Sequence, residues 1–132
     1  MKITVLGSGT SSGVPVVGCD CAVCKSPNPK NKRLRSSCFF EVDGKNILID
    51  TSPDLRAQAL AHDIRRVDAV LYTHVHADHV HGIDEMRIYN AYQKAPIPVY
   101  GDQKTIDHLV KAFGYIFRPT TIYPSLIPRL EP

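Results

Sequence analysis

Residues 73–79 read THVHADH, so His74, His76, Asp78 and His79 fall within six positions of one another. Imidazole nitrogen and carboxylate oxygen suit Zn²⁺, Mn²⁺ or Fe²⁺, all of which support hydrolytic chemistry. The cluster directly follows the apolar run Val67–Tyr72. A turn at the end of such a strand can fold His74 and His76 towards one ion and Asp78 and His79 towards a neighbour. Two adjacent ions can activate water and clamp the oxygens of a phosphodiester during in-line attack. The competing reading is a histidine-rich surface loop with no fixed metal, and this spacing at a strand's end makes chance the weaker of the two. His81 lies just outside the pattern, as an incidental or supporting residue. A helical His-Glu-x-x-His site is excluded, because that motif is absent.

A second cluster, Cys19, Cys21 and Cys24, is spaced Cys-x-Cys-x-x-Cys. Three thiolates fill three corners of a tetrahedral structural zinc site, which normally takes four ligands. Cys38, His62 or His108 could be the fourth, and spacing marks out none of them. In a reducing cytosol the spacing favours metal over disulfide. A redox reading of Cys21 and Cys24 is weaker, because no helix obviously begins at the first of them. The glycine-rich turn Gly7–Gly13 invites a phosphate-cradle reading, but it lacks the Gly-Lys-Ser/Thr ending of a P-loop and no helix follows. A tight turn is the better expectation. Lys25, Lys30, Lys32, Arg33 and Arg35 make a basic run that could attract phosphate, although such runs usually form a solvated loop.

The elements that must position these groups alternate. Residues 2–7 read as a strand, followed by a long loop over about 14–36. Loops of that length are usually functional or pinned by something. Phe39–Val42 and Asn46–Asp50 flank Asp43-Gly44, a strong hairpin signal. Ser52 followed by Pro53 reads as a helix N-cap with proline at the first position. Val67–Tyr72 reads as a buried strand, and the apolar runs at 47–49 and 69–72 suggest strands buried on both faces. A helix is expected over about 82–93 and a short strand at Pro98–Tyr100. Asp102 caps an amphipathic helix stopped by Gly114. From 115 onward the chain reads as irregular. Strands alternating with helices imply an α/β class with helices on at least one face of a sheet.

His74–His79, with Thr73 before it, resembles the signature of the metallo-β-lactamase superfamily. The runs GSGTSSGVP at residues 7–15 and IDTSPDLR at 49–56 are similar to a narrower branch, that of the phosphoribosyl cyclic phosphate phosphodiesterases (PhnP-like). Pyrroloquinoline quinone biosynthesis proteins and ribonuclease Z are more distant cousins. The resemblance covers residue 2 to about 100. It implies the N-terminal half of an αββα sandwich, a mixed sheet with helices on one face, and one domain over 1–132 that is cut short. It further implies two divalent transition metal ions (Zn or Mn) held by His74, His76, Asp78 and His79, with Asp78 also holding the nucleophilic water. Asp50 would orient a ligand imidazole through a hydrogen bond; read from the residues alone, it is equally a turn-capping carboxylate. One structural zinc on Cys19, Cys21 and Cys24 is implied as well. In the branch its fourth ligand is a histidine near the C-terminus, a region not present here. Full-length relatives are longer, and their second half adds a sheet layer, two more histidines and a bridging aspartate.

The totals agree with this frame. At 132 residues, 43% hydrophobic and 22% charged, the chain suits one globular domain. A net charge of +3 is too weak to imply nucleic acid, yet would not repel a phosphorylated substrate. No apolar stretch approaches the roughly 20 residues of a membrane helix, and no signal peptide is evident, so a cytoplasmic location is expected. The expected activity is a metal-dependent phosphodiesterase acting on a small cyclic phosphate. The alternatives are nucleic-acid cleavage of the ribonuclease Z kind and a non-catalytic zinc-binding subunit. The expected partners are a small phosphate ester and either a second copy or the missing C-terminal half.

Overall fold

The computed structural model describes residues 1–118 and 127–132. Its strands are β1 (Lys2–Gly7), β2 (Ser37–Val42), β3 (Lys45–Ile49), β4 (Ala69–Leu71), β5 (Ile97–Tyr100) and β6 (Leu130–Glu131). They pair in sequence order within one mixed sheet. β1, β2 and β3 run antiparallel, and β3 through β6 run parallel. The hairpin falls where Asp43-Gly44 predicts it, with φ of 49° and 73°, the paired positive values of a type I′ turn. The helices are α1 (Leu55–Ala61), α2 (Ala77–Val80), α3 (Met86–Gln93), α4 (Gln103–Ala112) and α5 (Gly114–Phe117). No described helix is long and apolar enough to cross a membrane.

Register explains which face the helices cover. Phe39, Leu48, Val70 and Val99 lie side by side across β2–β5, all buried. They join Leu55, Val80, Ile83, Met86, Leu109 and Ile116 of the helical layer in one core. The other row runs Val5, Cys38, Ile49, Leu71, Tyr100. Here Val5 is 57%, Leu71 39% and Tyr100 54% exposed, and neighbouring Ile3 is 51% exposed. The expectation of strands buried on both faces therefore fails: β3 and β4 pack against one helical layer, and among the described residues nothing covers their outer face.

Several boundaries differ from expectation, among them the helix expected from about 82, which runs as α3 from Met86. Helix α1 starts at Leu55 behind Asp54, not at Pro53. The Ser52 hydroxyl accepts from Asp54 N but donates to the buried Gln58 amide oxygen, which makes it a core turn rather than a cap. The strand expected over 67–72 shortens to Ala69–Leu71. Gly114 does not end the helical region; it opens the single turn α5. The expected irregular stretch from 115 lies largely outside the described residues, although β6 returns to pair with β5. The glycine-rich turn packs as a tight turn: a Cβ on Gly7 would collide with the Arg35 carbonyl oxygen.

Candidate metal centre

The histidine motif leaves the sheet at the end of β4. Tyr72 N donates to Tyr100 O, extending the ladder one residue beyond Leu71. Thr73–His76 then form a loop, and α2 begins at Ala77 with His76 at its N-cap. The loop brings the rings together: His74 and His76 centroids are 4.6 Å apart, and His74 and His79 are 4.0 Å apart. His74 Nε2 lies 3.2 Å from His76 Nδ1, and His79 Nε2 lies 3.2 Å from Asp78 Oδ2.

Asp50 ties this arrangement to the sheet. It follows β3, is 3% exposed and has φ of 60°, a left-handed conformation uncommon outside glycine. Its carboxylate accepts from Thr73 N at 2.8 Å, Thr73 Oγ1 at 2.7 Å and His79 Nδ1 at 2.7 Å. Proton counting assigns the rings. A carboxylate only accepts, so His79 carries a proton on Nδ1, and its Nε2 lies beside the Asp78 carboxylate. Thr73 has one hydroxyl proton and gives it to Asp50, so it must accept from His74 Nδ1 at 2.9 Å. His74 Nε2 faces His76 Nδ1. The His74 and His79 rings are both oriented through Nδ1, which turns their Nε2 atoms towards further ligand atoms. A divalent cation fits this donor set.

The donors meet as neighbouring pairs. Among the described residues, the one set of three or more His, Cys, Asp or Glu ligand atoms all within 4.8 Å of one another is Cys19, Cys21 and Cys24. Hydrogen bonds tie that loop together through its sulfurs. Cys24 N donates to Cys21 Sγ, and Val16 N donates to Cys24 Sγ at 3.4 Å. The Cys24 N–H first, and then the Cys19 and Cys24 thiols, bring the Cys21 thiol down to about 7. No fourth ligand joins the three within that span among the described residues. Cys38 lies in β2, opposite Val5 and Ile49. His62 caps α1 and His108 lies in α4. His81 stacks edge-on against Phe113 at 5.9 Å.

The basic run divides. Arg35 is spent on structure, pairing with Asp54 at 2.9 Å and donating to Ser11 O, and Arg33 bonds Lys30 O. Sequence reasoning passed over Thr51 and Tyr72, both buried beside the histidine turn. The one available signal was a hydroxyl residue inside or next to an otherwise apolar strand run.

A family model described as the beta-lactamase superfamily domain matches residues 45–129. The chain is 47% identical over 126 residues to a protein of Porphyromonas gingivalis named octanoyltransferase, covering 95% of this chain but 25% of that one. The crystal structure of a new diphosphatase from the PhnP family superposes with a TM-score of 0.83 at 51% identity, over 87% of this chain and 46% of that one. Zn²⁺-bound PqqB from Methylobacterium extorquens matches with a TM-score of 0.73 at 22% identity, over 99% of this chain and 45% of that one, which shows a shared fold. The chain thus spans less than half the length of each of these.

Proposed function

The chain belongs to the beta-lactamase superfamily domain family, and from that premise we propose that it forms the metal-binding half of a hydrolase that cleaves a small phosphate ester, most specifically a cyclic phosphodiester. Two divalent ions, zinc or manganese, would polarise the phosphate oxygens and lower the pKa of attacking water. His74 and His76 would hold one, Asp78 and His79 the other, with Asp78 also orienting the water. Asp50 aligns His79 directly, and His74 through Thr73. Cys19, Cys21 and Cys24 would hold a structural zinc and so brace the long loop. A reducing cytoplasm fits free thiols in that loop. The protein named octanoyltransferase is much longer, and this chain covers 25% of it.

The observation that carries this reading is the chain of proton donation from Thr73 and the two imidazoles to Asp50. It orients both rings so that their Nε2 atoms face further ligand atoms. The diphosphatase match at 51% identity supports phosphorus as the centre attacked.

The test is metal content after loading and dialysis, followed by hydrolysis of bis(p-nitrophenyl) phosphate, a ribose cyclic phosphate and a tRNA precursor. Retained metal with turnover of the cyclic phosphate supports the proposal, and His76→Ala should abolish that turnover. Preference for the tRNA precursor would move the assignment to the ribonuclease Z kind. Metal binding without turnover would make the chain a subunit that needs the remainder of its relatives' length. A chain that retains no transition metal refutes the proposal.

A further inference from the structure

The histidine turn is too short to set its own direction. α2 has four residues, so nucleation gives it no independent stability, and its angle must come from outside bonds. Those bonds converge on Thr51, which is fully buried. Thr51 N donates to His79 O at 2.8 Å, and Gly82 N donates to Thr51 O at 2.8 Å. The Thr51 hydroxyl donates to Val80 O at 3.2 Å and contacts the Tyr72 hydroxyl at 3.0 Å. Having one proton, and giving it to Val80, Thr51 Oγ1 must accept from Tyr72. A directed chain therefore runs from Tyr72 through Thr51 to the last carbonyls of α2, which no helical N–H could satisfy. The approach is close: a Cβ on Gly82 would collide with the Ser52 carbonyl oxygen.

We propose that Thr51 is a positioning residue for the metal centre, its hydroxyl locking α2 at the angle that turns Asp78 and His79 towards the cation. The inference rests on the metal-binding reading above. Asp50 fixes the His79 ring, whereas Thr51 fixes the backbone from which that ring and the Asp78 carboxylate project. Neither role replaces the other, because a correctly hydrogen-bonded ring on a displaced turn still misses its ion.

The experiment measures Mn²⁺ affinity from the electron paramagnetic resonance signal of free manganese, since thiolates are poor ligands for this ion. Wild type, Thr51→Val and Thr51→Ser are titrated well below the unfolding temperature of each apo chain. Removing a group that orients ligands without binding metal typically weakens affinity about 10- to 100-fold. Thr51→Val should therefore bind at least about tenfold more weakly while still folded, and Thr51→Ser should bind like wild type. Should Thr51→Val not fold, Thr51→Ala removes the hydroxyl without introducing an apolar methyl in its place, and carries the same expectation. Wild-type affinity in the folded hydroxyl-lacking variant overturns the inference. Equal loss in Thr51→Ser overturns it too, because packing rather than the hydroxyl would then be responsible. A wild-type chain that takes up no manganese or zinc overturns the metal-binding reading itself, a result read before any variant is compared.

Discussion

Asp50 holds a backbone conformation that a non-glycine residue adopts at a cost of about 1–2 kcal/mol. Three hydrogen bonds to a buried carboxylate offset that cost and aim it at Thr73 and His79. Asparagine tolerates the same φ but cannot accept at both ends, so Asp50→Asn separates the carboxylate from the backbone strain. It should lower metal affinity by about 10–100-fold, as loss of a partner behind a ligand imidazole typically does. Equilibrium dialysis against a graded zinc buffer measures this, and an unchanged affinity would reduce Asp50 to a turn residue. The cysteines make a separate prediction. All four are free thiols, and three converge. Zinc loading should slow alkylation of Cys19, Cys21 and Cys24 in the folded chain while leaving the rate at Cys38 unchanged. Peptide mapping by mass spectrometry reads the pattern, and uniform labelling of all four would remove the structural zinc.

At the scale of elements, Asp102 and Ser52 show why some boundaries can be read in a sequence and others cannot. Both precede helices and both bear capping side chains. Asp102 Oδ1 accepts from Thr105 N at 2.7 Å, a local bond three residues along. Ser52 instead answers to Gln58, itself bonded to Arg35 O across the fold, and so the helix begins later. The histidine motif and the cysteine loop were legible because their donors are close in sequence. Thr51 and Tyr72 were not, because their partners lie 21 and 29 residues away and only folding brings them together. The local cap carries a pH prediction. The Thr105 hydroxyl first, and then its N–H, hold the Asp102 carboxyl below its usual range. A carboxyl depressed in the folded state stabilises above its unfolded pKa, and that contribution disappears as pH falls through the folded value. Asp102→Ala should accordingly unfold a few degrees below wild type at pH 7, with the gap closing in acid. Thermal circular dichroism across that range checks it, and a gap independent of pH would mean that the cap acts without its charge.

For the molecule as a whole, helices cover one face of the mixed sheet, and among the described residues nothing covers the other. Ile3, Val5, Leu71 and Tyr100 stand in register rows that continue through the half-buried Phe40, Ile47 and Ile49. Scattered exposed apolar residues need no explanation, but a contiguous sheet face of this kind marks an interaction surface. Covering a valine or leucine contributes roughly 1.5–3 kcal/mol, so this face alone holds several kcal/mol of association free energy. The relatives are at least twice as long as the matched segment, and we propose that their remaining length packs here. Expressed by itself, the 132-residue chain should then bind its own copies through the same surface and turn over substrate slowly. Sedimentation velocity should show concentration-dependent oligomers, and Val5→Thr with Leu71→Thr should shift them towards monomer. Metal content should be little changed, because neither side chain is among the proposed ligands and the bond from Asp50 N to Leu71 O is made by backbone that threonine keeps. A wild-type chain that stays monomeric at high concentration, with full hydrolytic turnover, would mean that the open face needs no cover and that the centre is complete in this segment.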